Sequence, residues 1–240
     1  MKTRLSEIFF QSKLIDKKKT LLEAFAVTPI PESDFIELTN EFSKLKSKDD
    51  VSFNSHLLVD GGLIDILLRS RKKYANFYFV ERKKNISLLL HLSNNISSLD
   101  SDDKVFTFDE NQINGMTIYT LTELSDTFSL LVEKTNYEEG LGDYINQVTN
   151  KINTRIVSYE KEDISLFHHT TFKDYPDMEQ YFKYIKISFI VFKGIKGSVL
   201  NSEYKKRLGR ISIALQYYFE MPDDKVISLS SPSDITSLWP

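Results

Sequence analysis

Between Val51 and Leu92 the chain alternates apolar runs of strand length with short polar turns. In order, the segments read SFNSHLLV, DGG, LIDILLRS, RKKYAN, FYFVER, KKN and ISLLLHL. Short apolar runs bounded by such residues predict strands. Asp60-Gly61-Gly62 supplies one turn, because glycine accepts positive φ without steric cost. Lys84-Asn85 supplies a second tight turn. Further strands are predicted at 105–108 and at 116–122, after the Asn114-Gly115 turn. Residues 125–134 fit strand or helix equally. On the strand over 77–82, Phe77 and Phe79 point the same way, so both are expected in the core with Glu81 at its edge.

Helical periodicity marks other stretches. Leu5, Ile8, Phe9, Leu14, Ile15, Leu21, Leu22 and Phe25 predict a helix over 3–26, ended by Thr28-Pro29-Ile30-Pro31. Phe35, Leu38, Phe42 and Leu45 predict another over 32–46. Ile145, Val148, Ile152 and Ile156 predict a third over 143–156. Tyr204, Leu208, Ile211, Leu215 and Tyr218 form an apolar stripe that predicts a fourth over 202–219. A strand is predicted over 184–192 and a short one over 225–229. The Ser/Pro-rich tail 230–240 is expected to fray unless Trp239 docks. The acidic stretch Asp100 to Asp103 is the best place for a mobile linker. Together these elements predict an α+β fold, with an antiparallel β-meander sheet covered by N-terminal, central and C-terminal helices. They predict a single domain over 1–240, with a helical N-terminal segment at 1–48 and room for a sub-boundary near 157.

Composition narrows the function classes. At 41% apolar and 12% aromatic residues, the 240-residue chain can bury a sizeable core. A net charge of −3 gives no global signal for a polyanion, so any such signal must be local. Without cysteine there is no disulfide framework, thiol nucleophile or cysteine zinc site. No apolar run approaches the roughly 20 residues of a membrane span, and the N-terminus lacks the apolar core of a secretory signal. The expected location is the cytoplasm, with no membrane contact. His56, His91, His168 and His169 lack the His-x-x-x-His spacing of a helical zinc pair. No Walker loop, GxGxxG or serine elbow is present, and Lys193-Gly-Ile-Lys-Gly197 reads as a turn.

One constellation could carry catalysis. Glu81 and Lys83 project together from a strand. A hairpin centred on Lys73 would place Asp65 opposite Glu81. Two facing carboxylates repel unless a divalent cation lies between them. This acid followed by acid-x-lysine resembles the PD-(D/E)xK nuclease core, although Ile64 stands where the family's name has proline. The resemblance implies a magnesium-dependent nuclease, with Asp65 and Glu81 as metal ligands and Lys83 orienting or activating water. Read without it, the three are charged residues on the solvent face of a sheet.

Charge is also concentrated locally. Arg69, Arg71, Lys72, Lys73, Arg82, Lys83 and Lys84 face one acid, Glu81, within 69–84. Lys183, Lys186, Lys193, Lys196, Lys205, Lys206, Arg207 and Arg210 face only Glu203 within 183–210. Tyr181, Phe182, Tyr184, Phe189, Phe192 and Tyr204 lie among or beside the second set. Phosphate backbones require such local density, and aromatics can stack on bases. Acidic protein surfaces suit it equally. The leading expectation is a non-enzymatic subunit of a larger intracellular assembly, with other protein subunits as partners and no cofactor. It would contact nucleic acid or an acidic partner protein through Arg69, Arg71, Lys72, Lys73, Lys205, Lys206, Arg207 and Arg210. The alternative is the magnesium nuclease.

Overall fold

The computed structural model describes residues 30–96, 100, 102–126, 128–149, 154–162, 164–165, 168, 180–220, 226–228 and 237–239. The helix predicted over 3–26 and His169 lie outside them. Among the described residues the α-helices are α1 (Glu32–Ser43), α2 (Gly62–Arg69), α3 (Phe128–Tyr137), α4 (Asp143–Thr149) and α5 (Asn201–Lys206), with a π-helical segment, Glu138–Gly142, joining α3 to α4. The strands are β1 (His56–Asp60), β2 (Tyr74–Arg82), β3 (Asn85–Ser93), β4 (Lys104–Ile113) and β5 (Met116–Glu123). Then come β6 (Ile156–Glu160), β7 (Phe182–Val191), β8 (Ile211–Glu220), β9 (Val226–Ser228) and β10 (Ser237–Trp239).

All ten strands join one sheet in the order β10-β6-β2-β3-β4-β5-β1-β7-β8-β9. Every pairing is antiparallel except β1 with β5, which is parallel and registers only at Val59 and Tyr119. The sheet curls until distant strands share one core. Phe79 on β2 lies 6.2 Å from Phe189 on β7, although four strands separate them in the sheet. The Tyr159 hydroxyl on β6 donates to the Ile213 carbonyl on β8 at 3.5 Å. The eight strands from β6 to β8 thus form a nearly closed, barrel-like sheet. Its interior is filled by Phe77, Phe79, Leu88, Leu90, Phe108, Ile187, Phe189 and Ile213, among others.

This overturns the expected sheet covered by N-terminal, central and C-terminal helices. The physical reason is that long, twisted strands apolar on both sides can close on themselves. Inward residues then fill the interior, and helices need cover only patches outside. One patch holds Tyr78, Val80 and Leu89 against Leu130 of α3. The other holds Ile190 and Ala214 against Leu38 of α1 and Tyr204 of α5.

The barrel has two unlike ends. At the hairpin end lie the β2–β3 turn, the β4–β5 turn, the β7–β8 link and the loop entering β1. The first two are two-residue turns. Lys83 and Lys84 have φ of 51° and 63°, and Asn114 and Gly115 have 50° and 77°. Paired positive φ values match the right-handed twist of the flanking strands. The first turn is therefore Lys83-Lys84 rather than Lys84-Asn85. At the opposite end α2 buries Leu63, Ile64 and Leu67 in the barrel core.

Two predicted elements change type. Residues 63–69 form a helix instead of a strand. Leu63, Ile64 and Leu67 fall on one helical face, and the Asp60 carboxylate, one residue ahead of the N-cap Gly61, accepts the Gly62 N–H at 2.8 Å. The helix predicted over 202–219 is instead α5 followed by β8. Gly209, at φ 78°, sits between them. Ile213, Ala214, Tyr217 and Phe219 are buried off the predicted stripe, because both faces of β8 are covered. Likewise the described part of α4 is Asp143–Thr149, and Ile156, placed on the same helix by its spacing, instead opens β6. The expected strands at 105–108, 116–122, 184–192 and 225–229 fall within or upon β4, β5, β7 and β9. Phe77 and Phe79 are buried as expected, at 0% and 1% exposure. Ser237–Trp239 pairs with β6.

Candidate functional site

The structure does not bring the Asp65, Glu81 and Lys83 trio together. Asp65 is exposed on α2, not on a strand. The antiparallel neighbours of β2 are β3 and β6, and Glu81 stands opposite Ile86. Lys83 lies in the hairpin turn and pairs with Glu110 at 3.6 Å. Asp65 is at the α2 end of the barrel, whereas Glu81 and Lys83 are at the hairpin end. At about 3.3 Å per residue, β2 sets them roughly 20 Å apart.

The two basic runs are likewise divided. Each contains a strand, and a strand carries sequence neighbours to opposite ends of the barrel. Arg69 to Lys73 and Lys183 lie at the α2 end. Arg82 to Lys84 and Lys193 to Arg210 lie at the hairpin end. Many of these cations meet acids from elsewhere in the chain. Lys73 pairs with Glu160, Arg82 with Glu133, Lys84 with Asp49, Lys183 with Glu220, and Lys193 with Glu37 and Glu41. Arg207 lies over the Phe192 ring at 5.4 Å. Arg69 and Arg71 are exposed at the α2 end, and Lys205 and Lys206 are exposed on α5.

The most fully built polar constellation is one the sequence reading missed. It lies outside the barrel, on β2, β3 and β6 near the α2 end. His91 and Asp103 have side chains at 0% exposure, with His91 Nε2 at 2.8 Å from Asp103 Oδ2. Lys72, at 11% exposure, places Nζ 2.9 Å from the other Asp103 oxygen and 2.7 Å from Asp102. The Asp100 N–H donates to Asp103 at 2.9 Å. Nearby, Ser158 donates to Asn76 at 2.6 Å and Asn76 donates to the Asn95 carbonyl at 3.1 Å.

Burial pushes the Asp103 carboxyl up, but the Asp100 N–H, Lys72, His91 and Ser93 outweigh it and hold the group at about 2. Burial pushes the His91 imidazole down, and Lys72 adds to this, while Asp103 opposes it. Among the described residues His91 Nδ1 is buried without a hydrogen-bond partner. Asp100, Asp102 and Asp103 could offer oxygens to one cation. However, the Lys72 ammonium already stands against two of those carboxylates. The expected mobile linker therefore contains a buried, ion-paired aspartate. The available signal was His91 itself, an ionisable ring within the apolar run ISLLLHL, which needs a partner once buried.

A second feature is a cleft of about 560 Å³ where β1 and β5 diverge at the hairpin end. It is lined by Asn54, Ser55, His56, Leu58, Glu110, Met116, Thr117 and Tyr119. Ser55 Oγ lies 3.0 Å from His56 Nδ1. Most of its lining is exposed, so it is a shallow, wet groove. Among the described residues no helix is long and apolar enough to cross a membrane. No family model matches the chain, and no curated protein or solved structure matches it either.

Proposed function

We propose that this chain is a non-enzymatic binding subunit that meets an acidic partner protein at the hairpin end of the barrel. The supporting observation is where its exposed apolar side chains fall. Among the described residues nine large apolar side chains are exposed, and Val51, Ile113, Met116, Val199 and Leu208 lie in connections or at strand ends at that one end. Val199 is the extreme case, at 85% exposure. Apolar groups left in water at one end of a molecule mark an interaction surface. Lys196 and Lys205 are exposed beside Val199 and Leu208 in the β7–β8 link. Aliphatic side chains interleaved with lysines suit an acidic protein surface better than a phosphate backbone. The pairing of the other cations with internal acids also leaves fewer charges for counterion release.

Site-specific photocrosslinking tests this reading. A crosslinker at position 199 or 208 is expected to capture an acidic protein in cells of the source organism. One at position 65, at the opposite end, is not. Val199→Asp should abolish the capture without changing stability, since its side chain contacts mostly water. Nucleic-acid adducts at 199, or equal capture from position 65, would refute the assignment.

A further inference from the structure

We propose that Lys72, His91 and Asp103 form an acid-sensitive pin that holds the start of β4 on β3 at neutral pH and is released when His91 takes up a proton. The geometry sets the tautomer. Asp103 Oδ2 can only accept, so the contact at 2.8 Å requires the proton on Nε2. Nδ1 is then the basic nitrogen, and it is buried with no partner. Protonation there would create a charged N–H donor facing no acceptor, in a site with no access to water. A buried donor without an acceptor is a costly group, and a charged one more so.

Charged and polar groups approach His91 from each element packed against it. Lys72, ahead of β2, opposes a second positive charge. Asp103 and Asp100, ahead of β4, favour one, while Asp102 is paired with Lys72. Tyr78 of β2 places its ring 5.8 Å from the imidazole, and the Lys134 ammonium of α3 lies over that same tyrosine ring at 5.8 Å. From β6 the nearby polar group is Ser158, which is uncharged. The carboxylate facing Nε2 is already committed to Lys72 and to the Asp100 N–H. Asp103 therefore meets the ring at Nε2, and among the described residues Nδ1 has no hydrogen-bond partner to receive an added proton. The pin bears on β4 because Asp103 directly precedes it, and because His91 is the cross-strand partner of Val105.

Amide hydrogen exchange on the full chain tests the pin. After correction for intrinsic rates, protection of residues 104–107 should fall at least tenfold between pH 7.5 and 5.0. Protection of 185–190 on β7 should change less than twofold. In His91→Gln the side-chain amide can still donate to Asp103 but cannot take up a proton, so the selective loss should vanish. Equal loss in both proteins, or no loss in wild type, would overturn the proposal. Should His91→Gln fail to fold, nitrogen NMR of the wild-type imidazole decides the matter. A neutral Nε2–H ring persisting below pH 6, with β4 protection lost as it titrates, supports the pin. An Nδ1–H tautomer, or titration without loss of protection, overturns it.

Discussion

If the sheet closes into a barrel, two residues four strands apart in it must be energetically coupled. Phe79 and Phe189 are the test pair. Their rings lie 6.2 Å apart at 43°, and they are 1% and 0% exposed. Phe79→Leu and Phe189→Leu should each destabilise by about 0.5–3 kcal/mol, the ordinary range for a core substitution. The double variant should lose less than the sum, because the ring–ring contact can be lost only once. Aromatic pairs in this geometry contribute about 0.5–1.5 kcal/mol beyond area burial, which sets the expected coupling. Urea denaturation of all four proteins, followed by far-ultraviolet circular dichroism, measures it. Uncoupled sites add within about 0.3–0.5 kcal/mol. Additivity within that range would mean β2 and β7 do not meet across the interior, and the barrel would be wrong. Phe79 also stacks on Tyr137 at 6.2 Å, so Tyr137 must be left intact throughout the cycle.

Other outcomes follow from single positions. Gly115→Ala adds a Cβ to open space but at φ 77°, so its cost should be the left-handed strain alone, about 1–2 kcal/mol by urea midpoint. Gly142→Ala should cost about 1–3 kcal/mol for a different reason: its Cβ would lie 2.8 Å from the Tyr137 carbonyl oxygen, a backbone atom that cannot swing aside. Asp103 is held at about 2 against an ordinary 3.8, so the unfolded chain binds the proton more readily. Its stabilisation, about 2 kcal/mol, should be present above pH 3.8 and be lost as pH falls towards 2. His91 is depressed from 6.5, so stability should begin to fall earlier, as pH drops below 6.5. Urea midpoints at pH 7, 5 and 3 should show both losses, and Asp103→Asn should flatten the lower one.

The hairpins were legible because their signals are local. Runs such as FYFVER and ISLLLHL, separated by residues able to take positive φ, specify an antiparallel pair wherever it sits. Closure was not legible. It depends on β1 lying beside β5 and β7, and on β6 pairing with β2, contacts made between segments far apart in sequence. The helical reading of 202–219 failed for a related reason. A strand buried on both faces loses its alternation, and five apolar residues then happened to fall at helical spacing. At the candidate site, the sequence marks Lys72 as one partner-binding cation of a basic run and Asp103 as part of a mobile linker. Only the fold shows that they meet around His91.

The barrel also explains why charge density along the chain misleads about charge density in space. A strand of about nine residues is roughly 30 Å long, several times the Debye length at physiological salt. Cations flanking such a strand do not reinforce one another's field at a single contact. Arg71 and Lys84 are thirteen positions apart yet stand at opposite ends of β2. Residues far apart in sequence can share one rim, as Val51, Met116 and Val199 do. With the interior filled by aromatic and aliphatic side chains, and Leu63, Ile64 and Leu67 packed at the α2 end, the proposed partner contact would fall on the outer surface. The hairpin end is where connections from four parts of the chain converge, and where apolar side chains remain exposed. A partner that reads this end would read residues no linear motif contains, and Val199→Asp would disturb it more than any single change within the 69–84 basic run.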